Sequence, residues 1–263
     1  MLVSALFVAT AVSSSAISPS LISEVTQVVP GRSFLVGVKM KIPAGWHFYW
    51  RNPGDSGTAT QVSWKVPIGT FVTPLRWPGP SRIVSDGILS FGYEKDTALM
   101  ALMTPSRDFR RGDKFTISAK VSWLECKETC IPQSVNLDLT LPVTSSAKAS
   151  TQKGWLQLLN STVPSTNPIP TAGQIEEDNF MMQFKPPIGI NKRLQGAYFY
   201  PIDQEVVDNT ADQKYAFSEG WVKLTAKIFD NNKLPKAVRG VLELTWTANH
   251  RSYFEVSVPV NKK

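Results

Sequence analysis

Histidine and cysteine are scarce in this chain. Its 263 residues include two of each, His47 and His250, Cys126 and Cys130. That excludes a multi-histidine metal centre and a zinc site built from four cysteines. Long apolar runs are missing too. Beyond the first dozen residues nothing approaches the ~20 apolar residues that a membrane-spanning helix needs. No block of one charge stands out, although 28 Lys and Arg against 21 Asp and Glu give a net charge of +7. The densest basic cluster, Arg107, Arg110, Arg111 and Lys114, is interrupted by Asp108 and Asp113. It reads as a solvated turn, not a nucleic-acid patch. Hydrophobic residues make up 42% and charged residues 19%. That composition is globular, and the length supports a full core without disulfide staples.

Residues 1–16, MLVSALFVATAVSSSA, are mostly apolar from Met1 to Val12. Ser14 and Ala16 are small residues at the −3 and −1 positions of a cleavage point after Ala16. The pattern is that of a secretory signal, though without a basic residue at its start. It predicts an exported, periplasmic protein, a compartment in which a cysteine pair can oxidise.

Period-two alternation dominates the first body, residues 17–145. Phe34, Val36, Val38, Met40 and Ile42 form one apolar row. Phe115, Ile117, Ala119, Val121 and Trp123 form a second, and Val135, Leu137, Leu139 and Leu141 a third. Such rows predict half-buried strands, and turn clusters such as Asn52-Pro53-Gly54-Asp55 separate them. Residues 146–175 are rich in Ser, Thr, Pro, Lys and Ala, with one apolar patch at Trp155, Leu156, Leu158 and Leu159. They read as a linker with one short helix. Residues 176–263 alternate again, at Val222, Leu224, Ala226 and Ile228, then at Phe254, Val256, Val258 and Val260. The expected fold is all-β, with two β-sandwiches in tandem.

The one reactive constellation is Trp123-Leu124-Glu125-Cys126-Lys127-Glu128-Thr129-Cys130-Ile131-Pro132. Lys127-Glu128-Thr129 forms a tight hairpin loop on this reading, and the cysteines face each other across it at a distance that suits a disulfide. By parity, Cys126 goes with Lys120 and Ser122, and Cys130 with Ser134 and Asn136. Both leave the core face unless a bulge at Pro132 shifts the phase. The five-residue loop contributes only about 2 kcal/mol of chain-entropy stabilisation. A short bridge off the core is also the kind that reduces readily. A staple and a working redox pair both remain open on spacing alone. Thiol activation looks weak, because Glu125 and Glu128 oppose thiolate formation and no histidine is near in sequence. The pair is better suited to attack by another protein's thiolate.

Three further patterns have ordinary explanations. Gly54-Asp55-Ser56-Gly57 looks like a serine-protease loop, which needs a positioned histidine and a buried carboxylate; the only upstream histidine, His47, sits in a Trp/Phe/Tyr context that reads as strand, and a turn is expected. The aromatics Trp46, Phe48, Tyr49 and Trp50 suit a core and its rim better than a sugar platform. The methionines, among them Met40, Met100, Met103, Met181 and Met182, are scattered on apolar strands as core filling, not a copper site.

Several stretches together resemble the amino-terminal periplasmic domain of the thiol:disulfide interchange protein DsbD and its ScsB-like relatives. They are the run from Gly45 to Gly57, Trp77-Pro78, Phe91-Gly92-Tyr93-Glu94, and the run from Val121 through Pro132. Ala197-Tyr198-Phe199-Tyr200-Pro201 and Arg251-Ser252-Tyr253 resemble the second region of the ScsB-like group. The resemblance implies immunoglobulin-like sandwiches and a redox role for Cys126 and Cys130, with no cofactor or metal. It implies a thioredoxin-like or membrane reductase protein as electron donor and periplasmic oxidoreductases as acceptors. Contact with the membrane comes only through a partner. It implies an aromatic cap over the pair, with Phe91 and Tyr93 in the matching region and Tyr49 as a further shield. The other function class consistent with the sequence is a non-catalytic immunoglobulin-like chaperone or binding module with a structural bridge. The chain departs from better-known relatives in having three residues between its cysteines, where they have more. It also shows no transmembrane segment and no thioredoxin-like Cys-x-x-Cys domain. The electron source is then a separate protein, or the sequence is the periplasmic part of a larger membrane protein.

Overall fold

The computed structural model describes residues 15–166, 169, 171–187, 194–230, 234–247, 250–259 and 261–262. Residues 1–14 of the expected signal, and Val260 of the last alternating row, lie outside them. The first part contains β1 (Ser18–Ser23), β2 (Val25–Gln27), β3 (Phe34–Lys41), β4 (His47–Gly54), β5 (Gln61–Lys65) and β6 (Phe71–Val72). It continues with β7 (Ser81–Ser85), β8 (Ile88–Tyr93), β9 (Thr97–Thr104), β10 (Lys114–Cys126), β11 (Cys130–Pro142) and β12 (Lys148–Ala149). After α1 (Lys153–Asn160) come β13 (Thr171–Glu176), β14 (Asn179–Phe184), β15 (Gly196–Pro201) and β16 (Lys214–Ser218). The chain closes with β17 (Trp221–Lys227), β18 (Ala237–Thr247), β19 (His250–Pro259) and β20 (Asn261–Lys262).

Two sandwiches result, as the alternation predicts. In the first, a sheet ordered β1-β3-β9-β6 packs on one ordered β11-β10-β4-β8-β7, with β5 also on β10. In the second, sheets ordered β16-β17-β14-β13-β20 and β15-β18-β19 face each other. The long row on β10 buries Phe115, Ile117, Ala119, Val121 and Trp123, as its period requires. β11 pairs with it in one unbroken register from Lys114↔Pro142 to Cys126↔Cys130. No bulge at Pro132 disturbs the phase.

Residues 146–166 are less of a free tether than the composition of 146–175 suggests. α1 lays Leu156 on the sheet of β3 and β9, in a cluster with Leu35, Ala98 and Met100. A Cβ on Gly37 would lie 3.1 Å from Leu156 Cδ2, so a glycine there lets the helix sit close. This cover explains why β9 reads as a nearly continuous apolar run and not as an alternation. Ser165 then bonds the backbone of Tyr253 and Glu255 in β19.

The sandwiches also share a core. Tyr198, Tyr200 and Val241 belong to the same buried cluster as Phe48, Trp50 and Phe91. Asn52 Nδ2 donates to the Pro201 carbonyl (2.9 Å), and Arg51 pairs with Glu255 (3.1 Å).

Candidate functional site

The disulfide sits where β4 meets the end of the β10–β11 hairpin. Cys126 and Cys130 are bonded, with Cα atoms 4.1 Å apart. They face each other directly across the hairpin, and Ser122 and Ser134 bond each other further along the same outer face (3.1 Å). Cys126 is buried and Cys130 is exposed. Cys126 is therefore the covered side of the bridge and Cys130 the side that faces solvent.

β4 supplies the cover. It enters the ladder with Phe48 opposite Glu125 and His47 opposite Cys126. Alternation then puts His47 and Tyr49 on the cysteine face, and Phe48 and Trp50 on the core face. The Tyr49 hydroxyl lies 3.1 Å from Cys126 Sγ and 3.6 Å from Cys130 Sγ. Burial pushes the Tyr49 phenol up, against a smaller opposing effect of a hydrogen bond with Ser90. It therefore keeps its proton at neutral pH and can donate to sulfur. The Tyr49 ring meets His47 edge-on at 5.3 Å. Its other support is Gly57 (φ +100°), where a Cβ would land 2.3 Å from Tyr49 Cε1. Thr60 Oγ1 fixes the strand by donating to the Tyr49 carbonyl (3.1 Å). The segment Gly54–Gly57, which resembles a protease loop in sequence, is the turn that holds this ring.

Phe91 and Tyr93 do not lie over the pair. On β8, Tyr93 stands opposite Phe48 and Gly92 opposite Tyr49. Phe91 and Tyr93 thus point to the core face, away from the cysteines. Phe91 is fully buried, with Tyr200 at 5.1 Å and Tyr198 at 6.4 Å. Tyr93 stacks on Phe48 at 5.1 Å and donates its hydroxyl to the Pro78 carbonyl (2.7 Å). The expectation of a cap at these two residues is corrected on this ground. On the cysteine face, Gly92 lies beside Tyr49, and a Cβ there would be 2.2 Å from the Phe48 carbonyl oxygen.

Sequence reading also missed His47. No histidine is near Cys126 in the chain, but the β4–β10 register brings His47 opposite it. His47 is buried, and desolvation holds its pKa below the ordinary 6.5 despite the opposing charge of Glu94. Glu125, expected to oppose thiolate formation, lies on the other face. It is fully buried, and its carboxylate accepts hydrogen bonds from Ser15, Ala16, Ile17, Trp123 and Gln133. Among the described residues no group of three His, Cys, Asp or Glu could hold a metal ion. None of their helices is long and apolar enough to cross a membrane.

This geometry agrees with comparisons to known proteins. Residues 19–142 match the family model described as thiol:disulfide interchange protein DsbD, N-terminal. The N-terminal periplasmic domain of ScsB from Proteus mirabilis superposes with a TM-score of 0.63 at 15% identity, over 91% of this chain and 92% of that one. At that identity the likeness is one of fold, and it extends through both sandwiches. The E. coli chaperone DraB aligns over 90% of this chain and 98% of its own at 11% identity, with a TM-score of 0.23. The Ig1-2 module of the Drosophila receptor tyrosine phosphatase DLAR covers 93% and 98% at 12% identity, also with a TM-score of 0.23. Superpositions that poor carry no weight. No curated protein sequence matches the chain significantly. The match to the DsbD N-terminal family of thiol:disulfide interchange domains thus covers residues 19–142, just under half of the chain, and the cysteine hairpin falls wholly inside that stretch.

Proposed function

We propose that the protein is a periplasmic electron carrier that exchanges its Cys126–Cys130 disulfide with partner thiols. The observation that carries this reading is the asymmetry of the pair, with Cys130 exposed and Cys126 buried under the Tyr49 hydroxyl. A thiolate of a reduced donor attacks Cys130 Sγ along the S–S axis. The Cys126–Cys130 bond breaks, and Cys126 leaves with the electron pair as a thiolate stabilised by Tyr49. A mixed disulfide now joins Cys130 to the donor. The donor's second thiolate attacks its own sulfur in that bond, releasing Cys130 and leaving the donor oxidised. Two electrons and two protons have then entered the pair. The reverse sequence, opened by the Cys130 thiolate, reduces an acceptor disulfide.

A thioredoxin-like or membrane reductase protein suits the donor role, and periplasmic oxidoreductases suit the acceptor role. The working unit is residues 17–145, joined through 146–175 to the second sandwich at 176–263. Residues 1–16 serve as the export signal. Tyr49 both shields Cys126 and receives its charge.

Replacing the buried cysteine tests this. Cys126→Ser is expected to accumulate mixed disulfides through Cys130 in periplasmic extracts, while Cys130→Ser captures none. The reduction potential of the pair should lie within the range of periplasmic exchange partners. A value well below about −300 mV, where structural disulfides sit, would instead identify a staple.

A further inference from the structure

Glu125 is an unusual charge. It directly precedes Cys126, yet it points into the core and is fully buried. Five donors surround its carboxylate. Ala16 N–H reaches Oε1 at 3.0 Å and Ile17 N–H reaches Oε2 at 3.0 Å. The Ser15 hydroxyl lies 2.8 Å from Oε2, Trp123 Nε1 3.3 Å from Oε2, and Gln133 Nε2 3.2 Å from Oε1. Burial pushes this carboxyl up, but the bonds from Ala16, Ile17, Ser15 and Trp123 outweigh it and keep it below its ordinary value. The group is therefore an anion. All five donors are neutral, and among the described residues no lysine, arginine or histidine pairs with it. Buried charges are ordinarily matched by an opposite charge, because hydrogen bonds from neutral dipoles replace lost hydration only in part.

The sequence supplies the missing cation at the right atom. Ser14 and Ala16 occupy the −3 and −1 positions of the cleavage point, so the bond to be cut is Ala16–Ile17. Ile17 is the residue whose nitrogen lies 3.0 Å from Glu125 Oε2, and its side chain is completely buried. We propose that export leaves Ile17 as the amino terminus and that its new ammonium group forms a buried ion pair with Glu125.

The step is an ordinary hydrolysis. A leader peptidase adds water across the Ala16–Ile17 amide, and the C–N bond breaks. Ala16 departs on the leader with the new carboxylate, and Ile17 keeps the amine. A free α-amine has a pKa near 8 and is protonated at neutral pH. The ammonium carries three donors in place of one N–H, and it can occupy the space that Ser15 and Ala16 vacate. The proposal rests on reading residues 1–16 as an export signal. It adds a link between processing and the redox hairpin, since Glu125 stands opposite Phe48 in the same β4–β10 pairing that brings His47 to Cys126. Before cleavage the carboxylate has only neutral donors. The ion pair forms only after export, so the hairpin gains its last support in the compartment where it works.

The full chain, expressed with its own leader and recovered from the periplasm of a bacterial host, tests this. Intact mass and amino-terminal sequencing should show Ile17 first. The titration of that α-amine, followed by its rate of acetylation against pH, should be shifted up by at least one unit relative to the same chain in denaturant. Glu125→Gln should abolish the upward shift. If that variant does not fold, the native and denatured wild type still decide, because burial without an anion would shift the amine down. An amine that titrates at or below its denatured value refutes the ion pair. A different first residue refutes the assignment of Ile17 but leaves export intact. A chain that reaches the periplasm uncleaved, or fails to reach it, overturns the export reading itself.

Discussion

Replacing Tyr49 with phenylalanine removes one oxygen and leaves the ring. The wild-type hydroxyl lies 3.1 Å from Cys126 Sγ. In the disulfide this is a weak bond to a neutral sulfur, at the low end of the roughly 0.5–1.5 kcal/mol of an ordinary hydrogen bond. As a thiol attacks Cys130, negative charge builds on Cys126, and the same bond becomes one to an anion, about 1.5–3 kcal/mol. The difference of about 1–1.5 kcal/mol appears only in the transition state, so it corresponds to roughly a tenfold rate. Tyr49→Phe should therefore slow reduction of the pair about tenfold. The ring keeps its contacts with His47 and Gly57. Stability should fall by no more than ~1 kcal/mol, roughly 2–4 °C in a chain of this size. Stopped-flow fluorescence of Trp46 and Trp123 during reduction by dithiothreitol measures the rate, and a calorimetric melt measures the stability. A rate within twofold of wild type would show that the hydroxyl does not assist the leaving sulfur. A faster rate would make Tyr49 a lid and nothing more.

Gly57→Ala should displace that ring, because the new Cβ would land 2.3 Å from Tyr49 Cε1 at a φ of +100°; roughly 1–3 kcal/mol of stability and faster labelling of reduced Cys126 by a small alkylating reagent are expected. Phe91→Ala should cost about 3–5 kcal/mol by opening a cavity against Tyr200, with the reduction rate of the disulfide unchanged. Acid should destabilise the fold in two stages. His47 is held below 6.5 by burial, so the fold favours its neutral form, and melts should drop as pH falls below that value. Glu125 is held below 4.5, so its contribution, present above that pH, is lost as pH falls further. His47→Gln should flatten the first stage and leave the second.

The hairpin was legible because its pattern is local. Thirteen alternating residues of β10 and the three-residue loop fix both the register with β11 and the outward direction of Cys126 and Cys130. What depends on β4 was not legible. Its pairing with β10 spans only Glu125↔Phe48 and Cys126↔His47, and no periodicity announces so short a contact between distant segments. His47 therefore carries no sign in the sequence of its place opposite Cys126. Phe91 and Tyr93 lie in the stretch that matches the family's cap, but a match by region does not state which sheet face a side chain takes. Their alternation with Gly92 was visible, and its phase relative to the cysteines was not. Glu125 was misjudged in the opposite way. Its adjacency to Cys126 suggested electrostatic influence, while period two sends neighbouring side chains to opposite faces. The shared core was also hidden, since Tyr198 and Tyr200 alternate with nothing in the first sandwich that sequence alone would pair with them.

β4 shows how one strand can serve a rigid fold and a reactive bond together. Its even-numbered side chains, Phe48 and Trp50, are fully buried in the cluster that joins both sandwiches. Its odd-numbered ones, His47 and Tyr49, face the disulfide. The backbone that carries the Tyr49 hydroxyl is thus anchored by packing on the far side of the sheet, away from the cysteines. Opening the bridge releases only a five-residue loop, about 2 kcal/mol of chain-entropy constraint. The core clusters that the first sandwich contributes to do not include the cysteines. Oxidised and reduced forms can then share one backbone. A carrier that must present the same surface to a donor and an acceptor needs that property, because a fold that rearranged with each electron pair would have to bind its two partners in different shapes.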